Sequence, residues 1–433
     1  MNERRTSGRG RGFTLIEIMV ALTGGLFFTI FVFMLTKDVT RFFQQESRLS
    51  DTTLTAITGF ERLRADVARA GFLASPNLAK DTGRCPPRDP GGAITSGFSA
   101  NWAANASALQ KMGILRVDAT AAAISANPLL TMNSLTPDTL TLFGNYTSSE
   151  QFPARSVQPS GANVLVYLDP TSGAMARIGF TTAGTAADQT LLDTIFPAGR
   201  ALRLVNQENE EQYGIITGVT NGASPTITLG PGLAIVNKGA GSVCGLRGFA
   251  GGVQVNTVNI IRYELANLSA DTNFSYVFAG VRPATDTTPQ RLEFARSEIL
   301  PNDTTAAGST ELVAEYAVDF KVGVSVVSNL GTVQTSFYPT GDSNIPAYAG
   351  DPLSATAAAL GKGPHLIRAA HVRLSVRALD GDRDANVAAA DLGTVPYRVQ
   401  LIAAAGSTPA KFARVRSLQA LIATRNSRNK LWN

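Results

Sequence analysis

The chain has 433 residues, a formal charge of +5 and only 16% charged side chains, which is enough for a membrane segment and one large or two ordinary domains. Residues 1–12 hold Arg4, Arg5, Arg9 and Arg11 against Glu3, so they supply +3 of that charge. The remainder is near neutral, which excludes a general electrostatic attraction to nucleic acid or to an anionic membrane.

After this basic leader, Phe13 to Leu35 contains one ionisable residue, Glu17, and no proline. A helix of that length rises about 35 Å at ~1.5 Å per residue. That covers a hydrocarbon core of about 30 Å with some tilt. The pair Gly24-Gly25 is the weak point, at about 1 kcal/mol per glycine relative to alanine, and marks a candidate kink. Basic residues ahead of the span keep the N-terminus in the cytoplasm and leave the downstream chain outside it. No Ala-x-Ala cleavage signal comes after Leu35, so the apolar segment is expected to be retained. Glu17 either snorkels to the interface or has a partner, because a carboxylate inside a membrane helix costs a few kcal/mol.

The helical pattern continues beyond the span. Val39, Phe42, Phe43, Leu49, Leu54, Ile57, Phe60, Leu63 and Val67 recur mostly at steps of three and four, predicting one apolar stripe. Gly71 is the expected stop, so a single helix should run from about Phe13 to about Ala70.

Gly12-Phe13-Thr14-Leu15-Ile16-Glu17, with basic residues before it and an apolar helix after it, resembles the processing site of type IV prepilins and type II secretion pseudopilins. The resemblance implies that a prepilin peptidase cuts between Gly12 and Phe13 and N-methylates Phe13. It also implies that Glu17 answers the α-amino group of Phe13 on a neighbouring subunit and so sets register in the assembly. The helix end, Leu63-Arg64-Ala65-Asp66-Val67-Ala68-Arg69-Ala70-Gly71-Phe72, resembles the L-x-x-D-[ILV]-R-x-A-G-[YF] ending of PilW-type minor pilins. Ala68 stands where that pattern has Arg, and Arg69 comes one place later. Looser likenesses lie in the alternating stretches at 311–327 and 367–377 and in the Arg425-Asn426 end.

Beyond the helix, residues 75–135 read as irregular. Strands are expected at Thr139 to Phe143, Asn163 to Leu168, Ile215 to Thr220, Val258 to Leu265 and Ser275 to Val281. The stretches Asn221 to Gly232 and Asn237 to Gly252 read as long surface linkers. Tyr316, Val318, Phe320, Val322, Val324 and Val326 are expected to share one face of a strand, with a second alternating strand over 367–377. The basic end, from Lys411 to Lys430, reads as a strand or short helix with a charged face rather than a nucleic-acid-binding tail.

The chain has two cysteines, Cys85 and Cys244. Outside the cytoplasm disulfides persist, so a Cys85–Cys244 bridge is the candidate, worth up to about 5 kcal/mol on the chain-entropy model; the alternative is two separate thiols. Asp380 to Asp391 places oxygen side chains like a calcium loop, but Ala385 replaces the usual glycine and Asp391 the usual glutamate. We read it as a solvated connection, with no metal and no cofactor expected. His365 and His371 are the only histidines, and no Ser-His-Asp motif, zinc spacing or phosphate loop stands out; no enzymatic activity is expected.

The expected fold is α+β, a long pilin helix with a transmembrane first half packed on a β-rich globular domain. Its parts are a leader (1–12), a membrane or fibre-core half-helix (13–36), an amphipathic half-helix (37–72) and an exported domain (73–433). The expected function is that of a minor pilin in type IV pilus assembly or initiation. Its partners would be prepilin peptidase, other minor and major pilins and a tip adhesin, with no nucleic acid. It would reside in the inner membrane with its C-terminal domain outside the cytoplasm, and in the pilus after assembly. A J-like type II secretion pseudopilin, or a tethered adhesin using a prepilin signal, are the alternatives.

Overall fold

The structure is a computed structural model. It describes residues 14–81, 83–85, 104–230, 252–269, 271–278, 291–328, 334–359, 361–378, 397–398, 412–413 and 415–427. The chain divides into two compact units, Met1–Thr52 and Thr53–Asn433.

Helix α1 (Leu15–Arg69) is unbroken over 55 residues and runs on through Gly24 and Gly25. In the first unit, Leu15, Ile16, Phe27, Phe28, Phe31 and Phe33 are all exposed. Thr23, Thr29 and Thr36 donate their hydroxyls to the carbonyls of Met19 (2.9 Å), Gly25 (2.8 Å) and Val32 (2.8 Å). The helix thus satisfies its own polar groups, as an apolar medium requires. Leu15–Thr40, 26 residues, is long and apolar enough to cross a membrane by length and composition, which fits a single span or a signal segment.

The second unit is sheet-rich, so the chain is of the α+β class. Strands β1 (Leu115–Ala119), β2 (Asp138–Gly144), β3 (Phe152–Ser160), β4 (Asn163–Leu168), β5 (Ala201–Val205), β6 (Glu211–Thr220), β7 (Thr226–Leu229), β8 (Val253–Ala266), β9 (Glu293–Ile299) and β10 (Glu311–Ala314) form a ten-stranded antiparallel sheet. The fourteen-residue β8 belongs to two structures at once. Its first half pairs with both β3 and β5, closing the ring β8–β3–β4–β7–β6–β5–β8 into a small barrel. Phe152, Leu168, Leu204, Ile216 and Val255 fill the barrel together with Leu192 and Ile195 of helix α2 (Ala186–Ile195). The second half of β8 pairs with β2 and β9, extending an open sheet from β1 to β10.

Strands β11 (Ala317–Ser328), β12 (Gln334–Tyr338), β13 (Ile367–Arg377) and β16 (Val415–Ala423) make a second sheet in the order β12–β11–β13–β16. Between β13 and β16 lies a two-stranded pair, β14 (Tyr397–Arg398) with β15 (Phe412–Ala413). One core unites the C-terminal part of α1, the inner face of the open sheet and the inner face of the second sheet. Tyr263, Phe294 and Phe320 bridge the two sheets, with ring centroids 5.5 and 4.7 Å apart.

Several expectations need correction. The helical stripe is Ala56, Phe60, Leu63, Val67 and Ala70, all buried, whereas Leu54 and Ile57 are 67% and 45% exposed. At ~100° per residue, Ile57 falls on the flank of the face that docks and Leu54 nearly opposite it. Gly59, also on that face, lies so close to β10 that a Cβ would collide with the Val313 carbonyl. Residues 75–135 are not wholly irregular. They contain β1 and short helices Ala122–Ser125 and Pro128–Met132, the latter capped by Asn127 with proline in its first turn. Thr226–Leu229 is a strand inside an expected linker. Ser275–Phe278 is a turn of helix, not a strand. There the Asp271 carboxylate accepts from Asn273 N–H at 2.9 Å and starts a helical turn that overrides local strand preference. Tyr316 sits at φ +54°, separating β10 from β11. A register shift between Ala317 and Asp319 then puts Val318 in a different cluster from Phe320, Val322, Val324 and Val326.

Candidate functional site

The N-terminal end of α1 starts at a reciprocal cap. Thr14 N–H and Oγ1 both donate to Glu17 Oε2, at 2.9 and 3.0 Å, and Glu17 N–H donates to Thr14 Oγ1 at 3.2 Å. This is a capping box, in which two otherwise orphaned donors of the first turn are satisfied. Glu17 therefore has an intramolecular role that reading it only as a partner for another subunit misses. The signal was present in sequence as Thr14-x-x-Glu17. Gly12 and Phe13, the expected processing residues, lie outside the described residues.

The C-terminal end of α1 explains each residue of the motif there. Leu63, Val67 and Ala70 are fully buried. The Asp66 carboxylate points into the same core, where Oδ2 accepts from Arg296 Nε at 2.7 Å and from Tyr263 OH at 2.9 Å. Arg296 reaches on to Glu311 at 3.1 Å. Burial works against the charge of Arg296, but the hydrogen bond and charge of Asp66, together with Tyr263 and Glu311, outweigh it and lift its pKa; burial and the neighbouring Asp66 push the Tyr263 hydroxyl well up. Arg69 donates to the Ser148 carbonyl at 2.6 Å and covers the rings of Phe72 and Tyr146.

A helix leaves its last carbonyls without internal partners. Here the domain provides them. Tyr146 OH donates to Asp66 O at 2.9 Å, and Asn426 Nδ2 donates to Arg69 O at 3.2 Å and to Ala70 O at 3.0 Å. Gly71, at φ +77°, turns the chain in the left-handed region and donates its N–H to Phe143 O on β2 at 2.7 Å. The Arg425-Asn426 end is thus tied to the helix end, a contact that sequence order alone does not reveal.

The other candidates are dispersed. Cys85 is disulfide-bonded, while Cys244 lies outside the described residues, as does the Asp380–Asp391 loop. Among the described residues no group of three or more His, Cys, Asp or Glu is placed to hold a metal. His365 is buried against Asn77 Nδ2, 3.1 Å away. His371 lies on the outer face of the second sheet, 2.9 Å from Ser325 Oγ and packed on the Phe337 ring. Burial pushes its pKa down. This Ser–His pair was not legible in sequence, because its members are brought together by β11–β13 pairing. It borders a trough of about 430 Å³ lined by Phe337, Pro339, His371, Arg373, Gln419 and Leu421. Asp319, on the same strand as Ser325, is engaged by Arg373 at 2.9 Å.

No protein-family model, curated protein or solved structure matches the chain.

Proposed function

We propose that the protein is a PilW-type minor pilin that acts by assembly rather than catalysis. The observation that carries this reading is one helix with two differently built ends. One end comes after a prepilin-like Gly12–Phe13 and holds its only early carboxylate in a cap; the other is clamped to a β-rich domain through Asp66. Between them runs an exposed apolar segment of membrane length.

In this reading the helix waits in the inner membrane with the domain outside the cytoplasm. A prepilin peptidase cuts after Gly12 and methylates Phe13. While the subunit waits, the Thr14 donors partly compensate the Glu17 carboxylate in lipid. On assembly, Glu17 meets the new α-amino group of a neighbouring subunit. Opposite charges attract strongly in a low-dielectric bundle, and either charge alone would be costly, so only the correct register is favourable. The partners are other minor and major pilins, and a tip adhesin where one is carried.

Mass spectrometry of the protein from cells containing the peptidase tests this. A chain beginning at N-methylated Phe13 is expected; an intact Met1 terminus overturns the reading. Pilus counts in a deletion strain then separate initiation from adhesion, since loss of initiation removes fibres and loss of adhesion leaves them.

A further inference from the structure

The second sheet ends in β16, which pairs with β13 in unbroken register from Val415↔Arg377 to Ala423↔Ala369. Among the described residues nothing pairs with its other side. Thr424 N–H donates to Arg368 O at 2.9 Å, which fixes the phase of the ladder. In an antiparallel pair, alternate residues direct both backbone groups inward and outward. Ser417, Gln419, Leu421 and Ala423 therefore aim N–H and C=O away from the sheet.

Proteins normally protect such an edge with proline, charge or a bulge. The segment Ser417-Leu418-Gln419-Ala420-Leu421-Ile422-Ala423 has none of these. Leu421 is 62% exposed beside it. The edge itself carries one sign of charge. Residues 415–427 contain Arg416 and Arg425 and no Asp or Glu, and both arginines are exposed and bracket the edge. A second copy would bring the same cations: antiparallel self-pairing sets Arg416 of one chain beside the Arg425 end of the other. The charge favours a different chain.

We propose that the free edge of β16 receives an extended strand with acidic flanks from a different protein. Main-chain bonds to the outward-facing residues supply affinity. Carboxylates facing Arg416 and Arg425 fix register, and the like charge of the arginines disfavours self-pairing. This goes beyond the assembly reading and holds whether or not Gly12–Phe13 is cut.

The test uses the full chain in detergent micelles and a fluorescent nonapeptide of alternating valine and threonine with glutamate at each end. Saturable binding is expected. It should weaken by about tenfold or more in Gln419→Pro, which removes an outward N–H and leaves the β13 ladder intact. The same peptide ended in lysine should also bind about tenfold more weakly. Should circular dichroism show Gln419→Pro unfolded, Arg416→Glu serves instead, with weaker binding of the glutamate peptide and stronger binding of the lysine peptide expected. Absence of saturable binding to the wild type, equal binding by folded Gln419→Pro, or equal binding of the two peptides overturns the proposal. Self-association of the wild type that Gln419→Pro abolishes overturns the choice of partner.

Discussion

Arg296 on β9 donates through Nε to Oδ2 of Asp66 on α1 at 2.7 Å, and both side chains are only 9% exposed. The pair joins the helix to the strand it packs on. Removing one member of a buried pair costs about 3–5 kcal/mol, while replacing the whole set by apolar residues is often neutral. Asp66→Ala should therefore destabilise the domain by about 3 kcal/mol, the low end of that range, because Glu311 still engages Arg296. The triple change Asp66→Leu, Arg296→Met and Tyr263→Phe should recover most of the loss. Denaturant unfolding of the full chain in micelles reads both; a triple variant as unstable as Asp66→Ala would contradict this account of the pair.

At the other end of the helix, cap and charge can be separated. Glu17→Gln keeps an oxygen that accepts from Thr14 but removes the charge; Glu17→Val removes both. If charge pairing sets register, both variants should remain membrane-inserted and both should be lost from sheared fibres. If only the cap matters, the Gln variant should be recovered in fibres at the wild-type level. Immunoblots of membrane and fibre fractions distinguish the outcomes, and the second would end the proposed role of the Glu17 charge.

Legibility in the sequence tracked burial pattern. The membrane-length helix and its Gly71 stop could be read because composition and a left-handed glycine are local signals. β2, β4, β8 and β13 could be read because their apolar runs or alternation are long. β9 could not: its inward side includes Arg296 and Glu298, so it lacks apolar alternation. Those charges make sense only once Asp66, Arg200 and Asn259 are brought to them. β3 was hidden by Pro153 and Pro159 and β7 by its four-residue length. At the site, the fate of Asp66 and Asn426 was illegible for the same reason, since each answers a group more than two hundred residues away in sequence. The capping role of Glu17 was local and legible, but its intermolecular reading displaced it.

The expected Cys85–Cys244 bridge has a direct chemical test. Cys85 N–H donates to Glu211 O at 2.9 Å, and Glu211 N–H donates to Gly83 O at 2.7 Å, pinning the segment to the start of β6. With Cys85 disulfide-bonded and only one other cysteine in the sequence, non-reducing peptide mapping should recover a peptide joining Cys85 to Cys244. Reduction should cost about 2–5 kcal/mol of stability. Free thiols at both positions, or dimers cross-linked through them, would refute the pairing.

The closure of the barrel by α2 makes a pH prediction. Asp188 accepts from Thr181 N–H at 2.9 Å, from Thr185 Oγ1 at 2.7 Å and from Thr185 N–H at 3.1 Å. These bonds, the Thr181 backbone bond first, lower its carboxyl from the usual 3.8 to about 2. A carboxyl whose folded value is depressed binds its proton more readily when unfolded. Its contribution is therefore complete above 3.8 and is lost as pH falls to about 2. Asp188→Asn should lower the denaturation midpoint at neutral pH and flatten its fall across that acid window. Parallel wild-type and variant curves through the window would show that the Asp188 charge is not coupled to folding.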